Sequence, residues 1–439
     1  MNKVHFIGIG GIGVSALARF YLAKGWEVSG SDLSESEITK RLLYDVRHPI
    51  KLNINIGHDA ENVPDDVDKV IYSAAVRAGN PEMVRARDIG VPMLSYAETL
   101  GELTKEYFTI AVSGSHGKST TTALLSLMLI KADLDPTIIV GTRLKEFGGN
   151  NFRLGQSKFL VIEADEWNNS FHYYHPNIIV LTNVDKEHLD THKNLEGVIK
   201  NFATYIDNID KKGSVIVNAQ DKNSLQAIKN CQANIIKYNP RPLSSRASRA
   251  SRGISWLLQI PGEFNQLNCE AAWQAAKLLG VKKKIAQQAV KKYAGSWRRM
   301  EYMTPIDTLC GRSTYINDYA HHPNEIKAVG KALREKYGDK KIIAIFQPHQ
   351  IERLTNLFDD FTKAFGDFDI VGILPTYEVA GRELQGGKTS ADLAKKIKAK
   401  YLQNFSEALK LIERDSVVVF MGAGDIDKEI RKYFKSKLF

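Results

Sequence analysis

The stretch FTIAVSGSHGKSTTTALL, residues 108–125, decides the fold. Its first half is an apolar run of strand length, and from about Thr120 the chain reads as a helix. Between them lies Gly114-Ser115-His116-Gly117-Lys118-Ser119. A standard phosphate loop, GxxxxGK(S/T), requires glycine at 112, where this chain has Val112. The loop is therefore a shortened version that keeps the chemistry. Backbone N–H groups at a helix start attract an anion, Lys118 adds a positive charge, and Ser119 offers a hydroxyl to Mg²⁺. A lysine at a helix N-terminus opposes the helix dipole unless an anion binds there, which argues for a nucleotide phosphate.

The same alternation of strand and helix extends in both directions. Strand-length apolar runs recur at 4–9, 159–164, 177–183, 214–219, 342–347, 369–374 and 416–421, with helical patterns such as 326–336 between them. That pattern predicts α/β architecture with parallel sheets covered on both faces. Boundaries near Lys105-Glu106 and Ala294-Gly295 divide the chain into 1–106, 107–294 and 295–439. The run FLVIEADE puts Glu163 at the carboxyl end of a strand, where open α/β sheets place their chemistry. The next strand leads into Val184-Asp185-Lys186-Glu187-His188-Leu189-Asp190, which sets His188 among carboxylates. Glu163 and His188 join Ser119 as candidate metal ligands.

A second glycine-rich loop opens the chain. Gly8, Gly10 and Gly13 fit GxGxxG between the strand 4–7 and a helix from Val14 to Ala23. Strand EVSGSD then ends in Asp32, 19 residues after Gly13, where a ribose-binding acid is expected. This motif suits NAD, FAD or a UDP-sugar alike.

The remaining composition narrows the class. The 439 residues carry 60 Lys and Arg against 50 Asp and Glu, a net charge of +10, with 43% hydrophobic and 25% charged residues. Global disorder is excluded, and two to four domains are expected. Anionic nucleotide substrates account for the positive charge, so no nucleic-acid partner is expected. The only low-complexity stretch, 241–253, reads as a solvated loop. No apolar run reaches the ~18 residues of a membrane span. The glycine-broken run after Met1 is read as a strand and not a signal peptide. Cys231, Cys269 and Cys310 are widely spaced and form no disulfide framework. A cytoplasmic protein, monomer or weak homodimer, is the expectation.

Taken together, HFIGIGGIGVSALA, GSHGKSTTTALL, EADE with the following Ser170-Phe171, TNVDKEHLD, NQLNCEAA, RRME, DYAHHPNEI and FQPH resemble the Mur ligases. The resemblance spans about residues 3–425. It implies three domains: a Rossmann-like domain for a UDP-sugar, a central ATP-binding domain and a Rossmann-like C-terminal domain for an amino acid. The branch it resembles joins L-alanine to UDP-N-acetylmuramate in peptidoglycan synthesis, using ATP and Mg²⁺. Position by position, the resemblance assigns Lys118 to phosphate, and Ser119, Glu163 and His188 to metal. It assigns Asn268 to adenine and Gly10, Gly11, Ile12, Asp32 and Ser73 to the UDP-sugar. Arg298, Arg299, Asp318, His321, His322, His349 and Arg353 fall in the motifs around ATP and amino acid. His322 or water-mediated Asp318 are the candidates for a general base.

Some positions depart from the family pattern. Ser115 and Ser119 replace threonines and keep the hydroxyl. Trp167 and Asn168 stand where the family has Ser and Asp, and Gln350 where it has Arg. Three alternatives compete with this reading. A nicotinamide-dependent dehydrogenase would use Gly8–Asp32 but leaves the second loop unexplained. A related ligase adding another amino acid or a recycled peptide would keep every motif. Trp167 and Gln350 also motivate a nonenzymatic nucleotide-binding partner.

Overall fold

Nine expected strands form, and the reason is visible in their burial. A computed structural model describes residues 1–45, 52–186, 194–239, 256–303, 313–378 and 386–435. His188, Cys310 and the 241–253 stretch lie outside the described residues. Strands such as Ile178–Leu181, Ile342–Phe346 and Val417–Met421 are buried at every position. A strand covered on both faces has no polar side, so it reads as a continuous apolar run.

The first sheet holds β1 (Lys3–Ile7), β2 (Glu27–Asp32), β3 (Leu52–Ile56), β4 (Lys69–Tyr72) and β5 (Met93–Ser95). Its order is β3-β2-β1-β4-β5, all parallel. This is the doubly wound arrangement, and strand order reverses between β1 and β4. Helices α1 (Ile12–Ala23), α2 (Glu37–Asp45), α3 (Pro81–Asp88) and α4 (Tyr96–Glu106) accompany it.

The second sheet comprises β6 (Phe108–Ser113), β7 (Thr137–Leu144), β8 (Asn150–Arg153), β9 (Phe159–Glu163), β10 (Ile178–Leu181), β11 (Ser214–Asn218) and β12 (Asn234–Tyr238). Its order is β12-β11-β10-β6-β9-β7-β8, with β7–β8 an antiparallel hairpin. Helix α5 (Lys118–Lys131) follows β6. The third sheet, β13-β14-β18-β15-β16-β17, uses β13 (Glu301–Tyr302), β14 (Thr314–Asp318), β15 (Ile342–Phe346), β16 (Ile370–Ile373), β17 (Lys400–Tyr401) and β18 (Val417–Met421). Only β13 runs antiparallel in it.

By compactness the chain forms two units. The first is Met1–Trp256 with Leu267–Val290, and the second is Leu257–Gln266 with Lys291–Phe439. Among the described residues, no helix is long and apolar enough to cross a membrane.

Two helices start earlier than the pattern suggests. The first begins at Ile12, not Val14, and α5 begins at Lys118, not Thr120. In α5 the left-handed Gly117, at φ 84°, ends the loop so abruptly that Lys118 and Ser119 form the first turn. Strand β3, LNINI, carries no contiguous apolar run, because it is an edge strand whose apolar residues alternate with asparagine.

A buried polar cluster braces the first sheet from behind. Glu82 on α3 is fully buried. Its carboxylate meets His5 Nε2 at 3.0 Å, His58 Nδ1 at 3.1 Å, Ser31 Oγ at 2.6 Å and Asn62 Nδ2 at 2.9 Å. Burial works against the charge, but hydrogen bonds from His5, Ser31 and Asn62 outweigh it and hold the acid down to about 2. A depressed carboxylate stabilises the fold above its unfolded value and loses that contribution as pH falls through the folded value. Glu82→Gln is therefore expected to cost ~1–3 kcal/mol at neutral pH. The gap from the parent should close as pH falls from about 4.5 toward 2. Denaturant titrations at several pH values check this, and a pH-independent gap would contradict it.

Candidate functional site

The phosphate loop is built by backbone geometry that only glycine accepts. Gly114 and Gly117 have φ of 131° and 84°. A Cβ on Gly114 would lie 2.1 Å from Thr182 Oγ1, and one on Gly117 would lie 2.4 Å from Asn268 Oδ1. Neighbouring strand β10 supplies the brace. Asn183 accepts the His116 N–H at 2.9 Å through Oδ1 and donates through Nδ2 to the His116 carbonyl at 2.9 Å. Thr182 Oγ1 donates to that carbonyl at 2.7 Å. The Asp185 N–H reaches Ser115 Oγ at 2.8 Å, and His116 Nε2 lies 3.2 Å from Asp185 Oδ2. Helix α5 has no side-chain cap and no acidic residue in its first turn, so its leading N–H groups remain to meet an anion. Thr120 is buried in that turn.

Lys118 Nζ donates to the Gly114 and Ser115 carbonyls at 2.7 and 3.3 Å and to Glu166 Oε2 at 2.8 Å. Burial opposes its charge, yet Glu166 and Asp165 prevail and raise the lysine above its ordinary value. Glu166 itself is pushed up to about 8 by burial, against the pull of Lys118 and with the help of Asp165. The ammonium is thus kept charged, dry and within the loop. Glu166 is a residue the sequence reading passed over, although it stands in the quoted EADE run.

Strand β9 delivers Glu163 to the same strand-end crevice. Ser119 Oγ donates to Glu163 Oε1 at 2.8 Å, and the Gly141 N–H on β7 donates to Oε2 at 2.8 Å. A hydroxyl and a carboxylate in contact form a hard oxygen donor set, which fits Mg²⁺. Asn268 lies against Gly117, beside the phosphate loop.

The first glycine loop lies where β1 and β4 part. The Gly8 and Ile9 N–H groups both donate to the Ser31 carbonyl at 2.9 Å. The Gly10 N–H donates to Asp32 Oδ2 at 2.8 Å, and a Cβ there would lie 2.8 Å from that oxygen. Asp32 thus shapes the loop from within. Gly11 is the cap residue of α1 and Ile12 its first residue; the cap makes no side-chain hydrogen bond. Ser73 follows β4 and sits 2.9 Å from the position of a Cβ on Gly8. Gly10, Gly11, Ile12, Asp32 and Ser73 are therefore gathered at one sheet end.

The second unit assembles its own cluster at the ends of β14, β15 and β18. Asp318 accepts the Met300 N–H at 2.7 Å and the Ala320 N–H at 2.8 Å, one on each oxygen. Burial raises it to about 6 against the pull of Arg299 and those two amides. Arg298 donates to the Gly422 and Gly424 carbonyls, the latter at 3.1 Å, so it ties two strand ends together. Arg299 lies over the Tyr319 ring at 4.8 Å. His322 caps the helix Pro323–Tyr337, its Nδ1 accepting the Asn324 N–H at 3.3 Å. With Nδ1 accepting, the neutral ring carries its proton on Nε2 and is a donor there. Both candidate bases are therefore engaged by backbone amides. His349 stacks on Tyr377 at 5.7 Å, and Arg353 Nη1 lies 3.4 Å from His349 Nδ1. His321 meets His349 edge-on at 6.0 Å. Gln350, at φ 68°, turns the chain from His349 into the helix that carries Arg353.

Comparison with known proteins agrees along the whole chain. Residues 3–108 match the model described as Mur ligase family, catalytic domain. Residues 112–276 match the Mur ligase middle domain, and 298–424 the Mur ligase glutamate ligase domain. The chain is 36% identical to the UDP-N-acetylmuramate–L-alanine ligase of Aquifex aeolicus, covering 99% of this chain and 98% of that one. It is 37% identical to the enzyme of the same name from Acetivibrio thermocellus, with 99% and 96% covered. The crystal structure of the UDP-N-acetylmuramate–alanine ligase of Thermotoga maritima superposes with a TM-score of 0.81 at 27% identity, covering 99% of each chain. A murein peptide ligase from Psychrobacter arcticus shares the fold, with a TM-score of 0.72 at 21% identity, covering 100% of this chain and 99% of that one.

Proposed function

Because the chain belongs to the Mur ligase family, we propose that it joins L-alanine to the lactyl carboxylate of UDP-N-acetylmuramate with cleavage of ATP. The observation that carries this reading is the shortened phosphate loop. It holds a charged, buried Lys118 beside the Ser119–Glu163 pair, in a chain matched end to end by ligases of that name. The dehydrogenase alternative offers no use for this second loop.

A carboxylate is a poor electrophile, so ATP must supply a leaving group. A carboxylate oxygen attacks the γ-phosphorus, ADP departs, and an acyl phosphate forms. The amine of L-alanine then attacks the carbonyl carbon, and the tetrahedral intermediate expels phosphate to leave the amide. Most of the catalysis is positioning and charge neutralisation. In this reading the α5 N–H groups and Lys118 take the charge of the transferring phosphoryl group. Ser119, Glu163 and His188 hold Mg²⁺, which when bound neutralises phosphate charge. Asn268 receives the adenine side of the nucleotide. Gly10, Gly11 and Ile12 present backbone to the UDP diphosphate, with Asp32 and Ser73 shaping that pocket. Arg353 and His349 receive the carboxylate of L-alanine, for which a guanidinium fork is suited. The ammonium proton passes through water to Asp318, whose oxygens each accept one amide and keep a second lone pair, or to His322. The domain limits 1–106, 107–294 and 295–439, and a cytoplasmic location, belong to the same proposal.

The test is phosphate release with ATP across a panel of UDP-sugars and amino acids. Release that requires both UDP-N-acetylmuramate and L-alanine is the expected result. Release dependent on a peptide acceptor alone would favour the recycling alternative. No release under any combination would favour the nonenzymatic one.

A further inference from the structure

One hairpin of the second sheet touches Glu163 with one strand and the start of α1 with the other. On β7, the Gly141 N–H holds Glu163 Oε2 at 2.8 Å. On β8, Asn151 reaches the start of α1, immediately after the first glycine loop. Its Nδ2 donates to the Ile12 carbonyl and lies 3.1 Å from Ser15 Oγ. Its Oδ1 accepts from Arg19 Nη1 at 3.0 Å, and Arg19 Nη1 lies 3.4 Å from the Ser15 carbonyl. Asn151 is 1% exposed and Arg19 9%. Beside them Phe20 meets Phe152 edge-on at 6.3 Å.

Apolar contact such as Phe20–Phe152 supplies adhesion without direction. A buried amide whose donor and acceptor ends are both used is different, because it tolerates one relative placement of its partners. The other side of the crevice is tight as well. Tyr96, at the start of α4, fills the space beside Gly13, where a Cβ would lie 2.7 Å from its Cζ. Burial and the nearby charges of Glu163 and Asp165 raise its phenol.

We propose that Asn151, held by Arg19, is a positioning residue: it sets the first glycine loop against Glu163, and so aligns the sugar's carboxylate with the γ-phosphate of ATP. This rests on the function proposed above. Alignment of reacting atoms acts on the chemical step, and a displacement of ~1 Å can cost about 10²-fold. Asn151 is buried and both ends of its amide are engaged within the protein, so the affinities should be spared.

Two variants test this in the full-length chain. Asn151→Asp keeps an acceptor for Arg19 but sets a carboxylate oxygen against the Ile12 carbonyl. Arg19→Met keeps an apolar stem and removes the anchor. The expected result for each is kcat lowered about tenfold or more. KM for ATP, UDP-N-acetylmuramate and L-alanine should change by less than about threefold, the signature of an interaction felt mainly in the transition state. A fall in melting temperature with unchanged kcat per folded molecule would overturn the proposal, leaving a purely structural clasp. A raised KM for the UDP-sugar with unchanged kcat would overturn it too. If Asn151→Asp does not fold, Arg19→Met decides. The parent chain separates the two readings: no phosphate release from it refutes the function, whereas an active parent and fully active variants refute only the positioning role.

Discussion

Lys118→Ala is expected to lower ATP-dependent amide formation by at least ~10²-fold, the scale of one lost electrostatic stabiliser in a dry site. The fold should survive. Removing the ammonium takes away the charge that opposes burial at Glu166, already raised to about 8, so this acid rises further and is protonated at neutral pH. It is then a neutral buried group, much less costly than an unpaired buried carboxylate. Phosphate release together with circular-dichroism melting separates the two effects. Near-normal turnover in a well-folded variant would sink the phosphate-loop reading.

Glu163→Gln should have an effect of similar size. Glutamine keeps an oxygen for the Gly141 N–H and can still meet Ser119, so the strand end is preserved. The carboxylate charge that draws a divalent cation is lost. A Lewis-acidic ion contributes several kcal/mol of charge stabilisation, so a loss of about 10²-fold or more in kcat at low Mg²⁺ is expected. The dependence on Mg²⁺ should move to higher concentration, with partial recovery there. A variant whose Mg²⁺ titration matches the parent's would remove Glu163 from the metal site.

What the sequence revealed, and what it hid, follows from where the information lies. The parallel strands were legible because their apolar runs are contiguous. The phosphate loop was legible because Gly114, Gly117, Lys118 and Ser119 act through local backbone geometry. Glu82, Asn151 and Glu166 were not, because a buried polar side chain is defined by partners far along the chain. Asn151 finds Arg19, 132 residues away, and Glu82 finds His5, 77 residues away. No periodicity carries such a pairing. Arg298 misled in the opposite sense. Its RRME setting suggests substrate, yet its guanidinium is buried against the carbonyls of Gly422 and Gly424. Trp167 and Asn168 depart in sequence, but Asn168 and its neighbour Asn169 both adopt the left-handed conformation, at φ 53° and 55°. Asparagine tolerates that conformation better than most residues, so the backbone path can persist through the change.

The near-absence of hairpins governs how this chain reaches its native state. Among the described residues only β7–β8 and β13–β14 pair antiparallel, and every other strand pair is parallel. A parallel pair needs a crossover between its strands, so loop-closure entropy is lost before any ladder bond is gained. Such topologies fold slowly, and their apolar strands stay open to other chains in the meantime. The runs buried at every position in the finished sheets, IIVL, IIAIF and VVVFM, are the segments most exposed to aggregation during synthesis. The same covering by helices that makes the mature sheets dry makes the nascent chain dependent on dilution or chaperones until its crossovers close.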